Sequence, residues 1–296
     1  MFIFRKRPKK VGLALGAGAA RGWAHIGVIQ ALREAEIPIN IVVGTSIGAF
    51  VGAFLAADQL KDLERLALNL DWKDVIGFLD FTLPKSGLID GKKVTDFLTQ
   101  HLSQKTIEEL PLPFAAVATD IITGKEVVLN AGDIIEAVRA SIAIPGIFTP
   151  VQMGETFLVD GGVVNPVPVN VAKDLGSEFV IAVDLNTHII TPAMKKVKKQ
   201  RHSQTEKSQP LNLNQIKEKI KALPYLRKWV SEEPIPNIFD VILTSIYVME
   251  QEITTYKLSL YKPDVIIKPQ VGYIGFMDFH KAAEAIAEGY LSLIHI

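Results

Sequence analysis

Short apolar runs stopped by glycine alternate along this chain with longer stretches whose apolar residues return every three or four positions. Val11–Leu15 is the first such run, and Gly16 ends it, so it reads as a buried strand. Gly16–Gly22 is a loop of small residues, and Trp23–Ala35 then carries helical spacing. Ile39–Val43 reads as a second strand running into Gly44-Thr45-Ser46-Ile47-Gly48, with helices at Ala49–Ala57 and Gln59–Leu70. Strand, helix, strand, helix in that order predicts an α/β fold with a mostly parallel central sheet and helices on both faces.

The same pattern continues with more interruption. Gly91–Leu102 reads as a helix, and Phe114–Thr119 and Glu126–Leu129 as strands about a Thr123-Gly124 turn. Asp133–Ala143 reads as a helix capped by Asp133, whose carboxylate can accept the first free N–H groups. Thr156–Val159 is a short strand ending in Asp160-Gly161-Gly162, followed by a helix at Pro168–Leu175 and a strand at Phe179–Leu185. From Thr191 to Pro236 the composition shifts to clustered lysines with Ser, Gln, Glu and Pro, which predicts a flexible, solvated insertion. Order returns with a helix at Ile238–Leu260, a strand at Val265–Lys268 and a closing helix from Asp278. The expected organisation is a basic segment at 1–10 and one domain over 11–296 carrying the insertion at about 191–236.

Composition narrows the chemistry. Hydrophobic residues are 48% of the chain, enough for a sizeable core. Lys+Arg and Asp+Glu are both 32, so no global charge draws the chain to nucleic acid. The absence of cysteine removes disulfides, zinc-thiolate sites, iron–sulfur clusters and thiol catalysis together. No spacing suited to metal ligands occurs, and no cofactor is expected. No apolar run of signal-peptide length follows the basic start, which predicts a cytoplasmic protein. The longest uncharged run, Ile41–Ala57, holds Gly44, Ser46, Gly48 and Gly52, and a strand, turn and helix account for it better than a membrane span.

Three motifs carry the candidate chemistry. Gly44-Thr45-Ser46-Ile47-Gly48 sets a serine between strand and helix, where flanking glycines admit a cramped turn and the helix start favours developing negative charge. Gly16-Ala17-Gly18-Ala19-Ala20-Arg21-Gly22 follows the first strand, and its small residues can turn several N–H groups into one space. Asp160-Gly161-Gly162 places a carboxylate at a strand end with room beside it. Taken singly, the serine motif is equally read as a tight structural turn, and the aspartate motif is better read as one. The glycine loop also resembles a dinucleotide fingerprint, but Arg21 stands where the third glycine belongs and the second strand ends without an acid for a ribose.

In this order, and with Ser141–Val151 between the second and third, the motifs resemble the patatin-like phospholipase family, closest to bacterial members related to the neuropathy-target-esterase catalytic domain. The resemblance covers Val11 to Leu185. It implies a patatin-like three-layer sandwich and a serine hydrolase cleaving acyl esters of lipids through a Ser46–Asp160 dyad. Ser46 would be the nucleophile and Asp160 the base. Gly16, Ala17, Gly18 and Ala19 would form the oxyanion hole, supported by Arg21, Gly22, Gly44, Gly48, Gly161 and Gly162. Where the family often has consecutive glycines, Ala17 and Ala19 interrupt them, which bears on the shape of that hole.

Other readings stay open at this stage. His188 and His280 follow Asp160 in the order a triad would need, while His25, His101, His202 and His295 have no supporting motif. A dinucleotide-binding oxidoreductase and a non-catalytic lipid-binding regulator are the rival functions. The expected partner is a lipid or acyl ester. Phe2, Ile3 and Phe4 beside Arg5, Lys6, Arg7, Lys9 and Lys10 suit peripheral contact with anionic membrane, and equally a frayed soluble terminus.

Overall fold

The computed structural model describes residues 9–71, 89–186 and 238–294. The apolar and basic residues at 1–8 and the insertion expected at about 191–236 lie outside the described residues. The chain divides into two compact units, Met1–Ile189 with Glu250–Ile296, and Ile190–Met249. Of the second, the described part is residues 238–249, all helical.

In the first unit an eight-stranded sheet runs β5-β6-β3-β2-β1-β7-β8, with β4 paired to β3 off that path. The strands are β1 (Val11–Leu15), β2 (Ile41–Thr45), β3 (Phe114–Asp120), β4 (Glu126–Leu129), β5 (Val151–Met153), β6 (Thr156–Asp160), β7 (Phe179–Val183) and β8 (Val265–Ile267). β1, β2, β3, β7 and β8 are joined by parallel pairings, β4 and β6 pair antiparallel with β3, and β5 pairs antiparallel with β6. The central strands are buried on both faces, which explains their unbroken apolar runs.

Alternation along the strands feeds two cores. Leu13, Leu15, Val42, Ile181 and Val183 join the cluster that contains α1 (Ala24–Glu34), α2 (Ile47–Ala56) and α3 (Leu60–Asn69). Ala14, Val43, Ala115, Val117 and Ala182 point the other way, onto α6 (Val169–Asp174). The remaining helices are α4 (Lys92–His101), α5 (Ile134–Ser141), α7 (Ile238–Tyr261) and α8 (Ala282–Ile294). Helices therefore cover both faces of a mostly parallel sheet, giving three layers. Asp133 caps α5, accepting from the N–H groups of Ile135 and Glu136. No helix among the described residues is long and apolar enough to cross a membrane.

Two departures from the sequence pattern bear on the site. β2 extends to Thr45, because its residues keep pairing with β1 and β3 on either side, and α2 begins at Ile47. The turn between them is a single residue, Ser46. β5 had no signal strong enough to separate it from a loop; it pairs antiparallel with β6 across a turn at Gly154, whose φ is +61°.

Candidate active site

Ser46 has φ 57° and ψ −128°, a conformation that costs an L-residue roughly 1–3 kcal/mol and persists only when neighbours impose it. Steric crowding imposes it here. A Cβ on Gly44 would stand 2.3 Å from the backbone N of Ala49, and one on Gly48 would stand 2.2 Å from the carbonyl oxygen of Leu15. The Ser46 N–H donates to Ser141 Oγ at 2.9 Å, and the Ser141 hydroxyl donates in turn to the Val117 carbonyl at 2.6 Å. Thr45 Oγ1 donates to Asn165 O at 2.8 Å, fixing the residue before the serine.

The aspartate arrives along β3. Parallel β2 pairs with Phe114–Val117 and ends with Thr45 opposite Val117, while antiparallel β6 pairs with Ala118–Asp120 and ends with Asp160 opposite Ala118. Since β4 overlaps both stretches, it occupies the other edge of β3, so β2 and β6 meet end to end on one edge. Ser46 and Asp160 follow from adjacent positions of that strand. The Ser46 hydroxyl donates to Asp160 Oδ2 at 2.5 Å, and Oδ1 accepts the Gly162 N–H at 2.7 Å. Gly161 is required because a Cβ there would stand 2.2 Å from the Val117 carbonyl. Burial pushes the Asp160 carboxyl up to about 7, against the opposing pull of the Ser46 and Gly162 hydrogen bonds.

The glycine loop lies beside this pair, its strand β1 adjoining β2. Two of its four candidate N–H donors are engaged within the fold: Gly16 donates to Val183 O at 3.0 Å and Ala17 to Pro166 O at 2.9 Å. Gly18 and Ala19 donate to no partner among the described residues. Ala19 has φ 49°, the left-handed region that alanine enters at a cost. Arg21 is 1% exposed and its Nε donates to Gly18 O at 3.0 Å. Gly22 lets the loop close on Ile47, which a Cβ would meet at 2.1 Å. His25 is fully buried with Nε2 2.8 Å from Gly16 O. A carbonyl only accepts, so Nε2 carries the proton, and burial holds this imidazole neutral by pushing its pKa down to about 4.

The remaining histidines are placed elsewhere or not described. The ring of His101 packs against Phe97 on α4, and His280 lies in the short 3-10 helix Phe279–Lys281 beside Asp278. His188, His202 and His295 lie outside the described residues.

Ser46 opens onto a pocket of about 960 Å³, counting its open mouth. Trp23, Phe50, Phe97, Ile142 and Phe148 are among its walls, and among the described residues no charged side chain lines it. One acidic group near the dyad has no counterpart in the sequence motifs. Glu250 on α7 is 8% exposed and lies against Gly162. Its signal was available: Glu250, Thr254 and Leu258, spaced by four, form the buried stripe of this helix from Glu250 onward. An acid on a buried stripe is rarely idle.

Comparison with known proteins places these residues in a wider set. The profile of the family described as patatin-like phospholipase matches residues 13–173, a span that contains the glycine loop, Ser46 and Asp160. An uncharacterized NTE family protein of Mycobacterium tuberculosis is 39% identical over 184 residues, which cover 62% of this chain and 51% of that protein. Patatin-like phospholipase domain-containing protein 7 of Rattus norvegicus is 34% identical over 183 residues, covering 60% of this chain and 14% of that protein. The chain thus spans about half the length, or less, of these relatives. The crystal structure of VipD from Legionella pneumophila aligns with a TM-score of 0.48 at 13% identity, covering 97% of this chain and 66% of that one.

Proposed function

The chain belongs to the patatin-like phospholipase family, and on that premise we propose that it is a serine hydrolase of lipid acyl esters working through a Ser46–Asp160 dyad. The observation that carries the proposal is the direct hydrogen bond from Ser46 Oγ to Asp160 Oδ2, with Ser46 lining an apolar pocket. Asp160 takes the hydroxyl proton as Oγ attacks the ester carbonyl. Its basicity is adequate because burial raises its pKa to about 7, where an exposed carboxylate would be a far weaker base. The tetrahedral oxyanion is received by the Gly18 and Ala19 N–H groups, the two loop donors not engaged within the fold, near the amino end of α2. Collapse expels the alcohol, which takes the proton held on Asp160. Water then enters and gives a proton to Asp160 as its oxygen adds to the acyl carbonyl. On collapse Ser46 Oγ leaves, taking that proton back from Asp160 as the carboxylic acid is released.

The pocket supports an acyl substrate, since each buried methylene contributes about 0.8 kcal/mol. Among the described residues these walls carry no charged side chain to hold the diphosphate of a dinucleotide. A fluorophosphonate probe is expected to label the wild type on Ser46 and to leave Ser46→Ala unlabelled. Asp160→Asn keeps the shape and removes the base, so turnover of a short-chain ester should fall roughly 10²–10⁴-fold. Label found on Ser141, or near-normal turnover in Asp160→Asn, would show the dyad to be misassigned. An unlabelled, inactive wild type would favour the non-catalytic regulator.

A further inference from the structure

Asp160 has a buried carboxylic neighbour that the two-residue reaction leaves without work. Glu250 Oε1 lies 2.4 Å, and Asp160 Oδ1 3.1 Å, from the point a Cβ on Gly162 would occupy, so the two oxygens are at most 5.5 Å apart. Only glycine at 162 admits both. From the other side Asn186, just beyond β7, donates its Nδ2 to Glu250 Oε2 at 3.2 Å. The charged groups that reach Glu250 are Asp160 from β6 and the buried Arg21 from the 3-10 helix Ala19–Trp23. Arg21 also acts on Asp184, whose Oδ2 lies 4.0 Å from Lys268 Nζ.

Two carboxylates this close in a buried site do not both ionise freely, and the proton settles on the one whose anion is less well supported. Asp160 accepts two hydrogen bonds, from the Ser46 hydroxyl and the Gly162 N–H, whereas Glu250 accepts one, from a side-chain amide. We propose that Glu250 is a positioning residue for the dyad, an acid that keeps its proton while Asp160 is ionised and, on losing it, sets a second negative charge beside Asp160 that strengthens it as a base. This rests on the dyad reading given above. Burial, and then the charge on Asp160, push Glu250 up to about 8, against the Arg21 guanidinium and the Asn186 hydrogen bond, while Asp160 sits at about 7. As pH rises the pair therefore loses its first proton chiefly from Asp160 and its second chiefly from Glu250, in two apparent steps that belong to the pair. Activity should enter with the first step and rise again, a few-fold, with the second.

The decisive measurement does not depend on turnover. Infrared titration of the wild type should show a protonated carboxyl band lost in two steps, about pH 7 and about pH 8, the upper one chiefly from Glu250. Glu250→Gln should lack the upper step. In Asp160→Asn the like charge is gone, so the remaining Glu250 band should titrate lower by about one pH unit or more. In parallel, the pH profile of ester turnover should show two rises in the wild type and only the lower one in Glu250→Gln. An upper step that persists in Glu250→Gln, a titration unmoved in Asp160→Asn, or a second rise retained in Glu250→Gln would overturn the proposal. Should Glu250→Gln fail to fold, the comparison of wild type with Asp160→Asn decides alone. A wild type that hydrolyses no ester would sink the hydrolase reading, whereas the infrared comparison would still test the carboxyl pairing.

Discussion

The turns at the carboxyl ends of β1 and β2 lie side by side, Leu15 opposite Gly44, yet they are held by different means. At the β2 turn, backbone crowds backbone: Gly44 and Gly48 have no room for a Cβ, and Ser46 takes a left-handed φ because the strand and helix meet across it. At the β1 turn, side chains from the following helical segment hold the loop from beneath, His25 on the Gly16 carbonyl and Arg21 on the Gly18 carbonyl. Alanine is tolerated at positions 17 and 19 of that loop and would not be at 44 or 48. A nucleophile must stand in one place to be struck from, so it is set by hard contacts. An oxyanion hole needs only N–H groups facing the right way, and hydrogen bonds suffice to turn them.

The difference can be broken first at its hard end. Gly48→Ala drives a methyl into the Leu15 carbonyl, and neither strand nor helix can yield without moving Ser46. Overpacking of this kind costs roughly 1–3 kcal/mol, and misplacing a reacting group by about 1 Å can cost about 10²-fold in rate. We expect a lowered melting temperature and a loss of turnover near that size, with fluorophosphonate labelling slowed in step. Full labelling rates in this variant would mean that crowding does not set the nucleophile.

His25→Phe tests the softer support. It keeps an aromatic ring and removes the donor, leaving the buried Gly16 carbonyl short of a hydrogen bond at a cost of about 1–3 kcal/mol. Turnover should fall about tenfold, short of the roughly 10²–10³-fold cost of losing an oxyanion donor outright, while Ser46 still labels. The pH dependence has a definite sign. His25 is neutral when folded down to about pH 4, whereas the unfolded histidine takes its proton near 6.5. The unfolded state binds more protons in that window, so the wild type loses stability there as pH falls. The stability gap between wild type and His25→Phe should therefore narrow from pH 6.5 to pH 4 in thermal melts. A constant gap would place the charge elsewhere.

The smallest change is Ala19→Gly, which relieves a φ of 49° without adding contacts. Relief of left-handed strain, roughly 1–2 kcal/mol, is set against the greater freedom glycine gains in the unfolded chain, roughly 0.5–1 kcal/mol. Stability should stay within about 1 kcal/mol and turnover within a few-fold, as read by melting and ester hydrolysis. A drop comparable to that of His25→Phe would show that alanine's own side chain, at the mouth of the acyl pocket, matters more than its backbone.

Much of this was legible along the chain. β1 falls on the apolar run that predicted it, because a strand buried on both faces has no polar residue to blur its limits, and β4 starts where the Thr123-Gly124 turn sets it. Asp133 was readable as a cap, since capping depends on neighbours two and three residues away. The elbow was readable because every clash that demands its glycines involves the segment's own helix or the strand next to it. Arg21 was named as a support of the glycine loop, and its Nε donates to the Gly18 carbonyl.

What the sequence could not decide were relations made across distance. The meeting of Ser46 with Asp160 depends on two strands ending at adjacent residues of a third, Val117 and Ala118, a register that no local pattern encodes. The division of the loop's N–H groups, two spent on Val183 and Pro166 and two left over, depends on which carbonyls the fold brings alongside. Glu250 stands 90 residues beyond Asp160 in the chain and in another kind of element, and only tertiary packing brings the two acids within one desolvated space. Sequence fixes which residues can do the chemistry, since hydroxyl, carboxylate and glycine each have local signatures. Their proton affinities and mutual aim come from burial and long-range register, which exist only once the chain has folded.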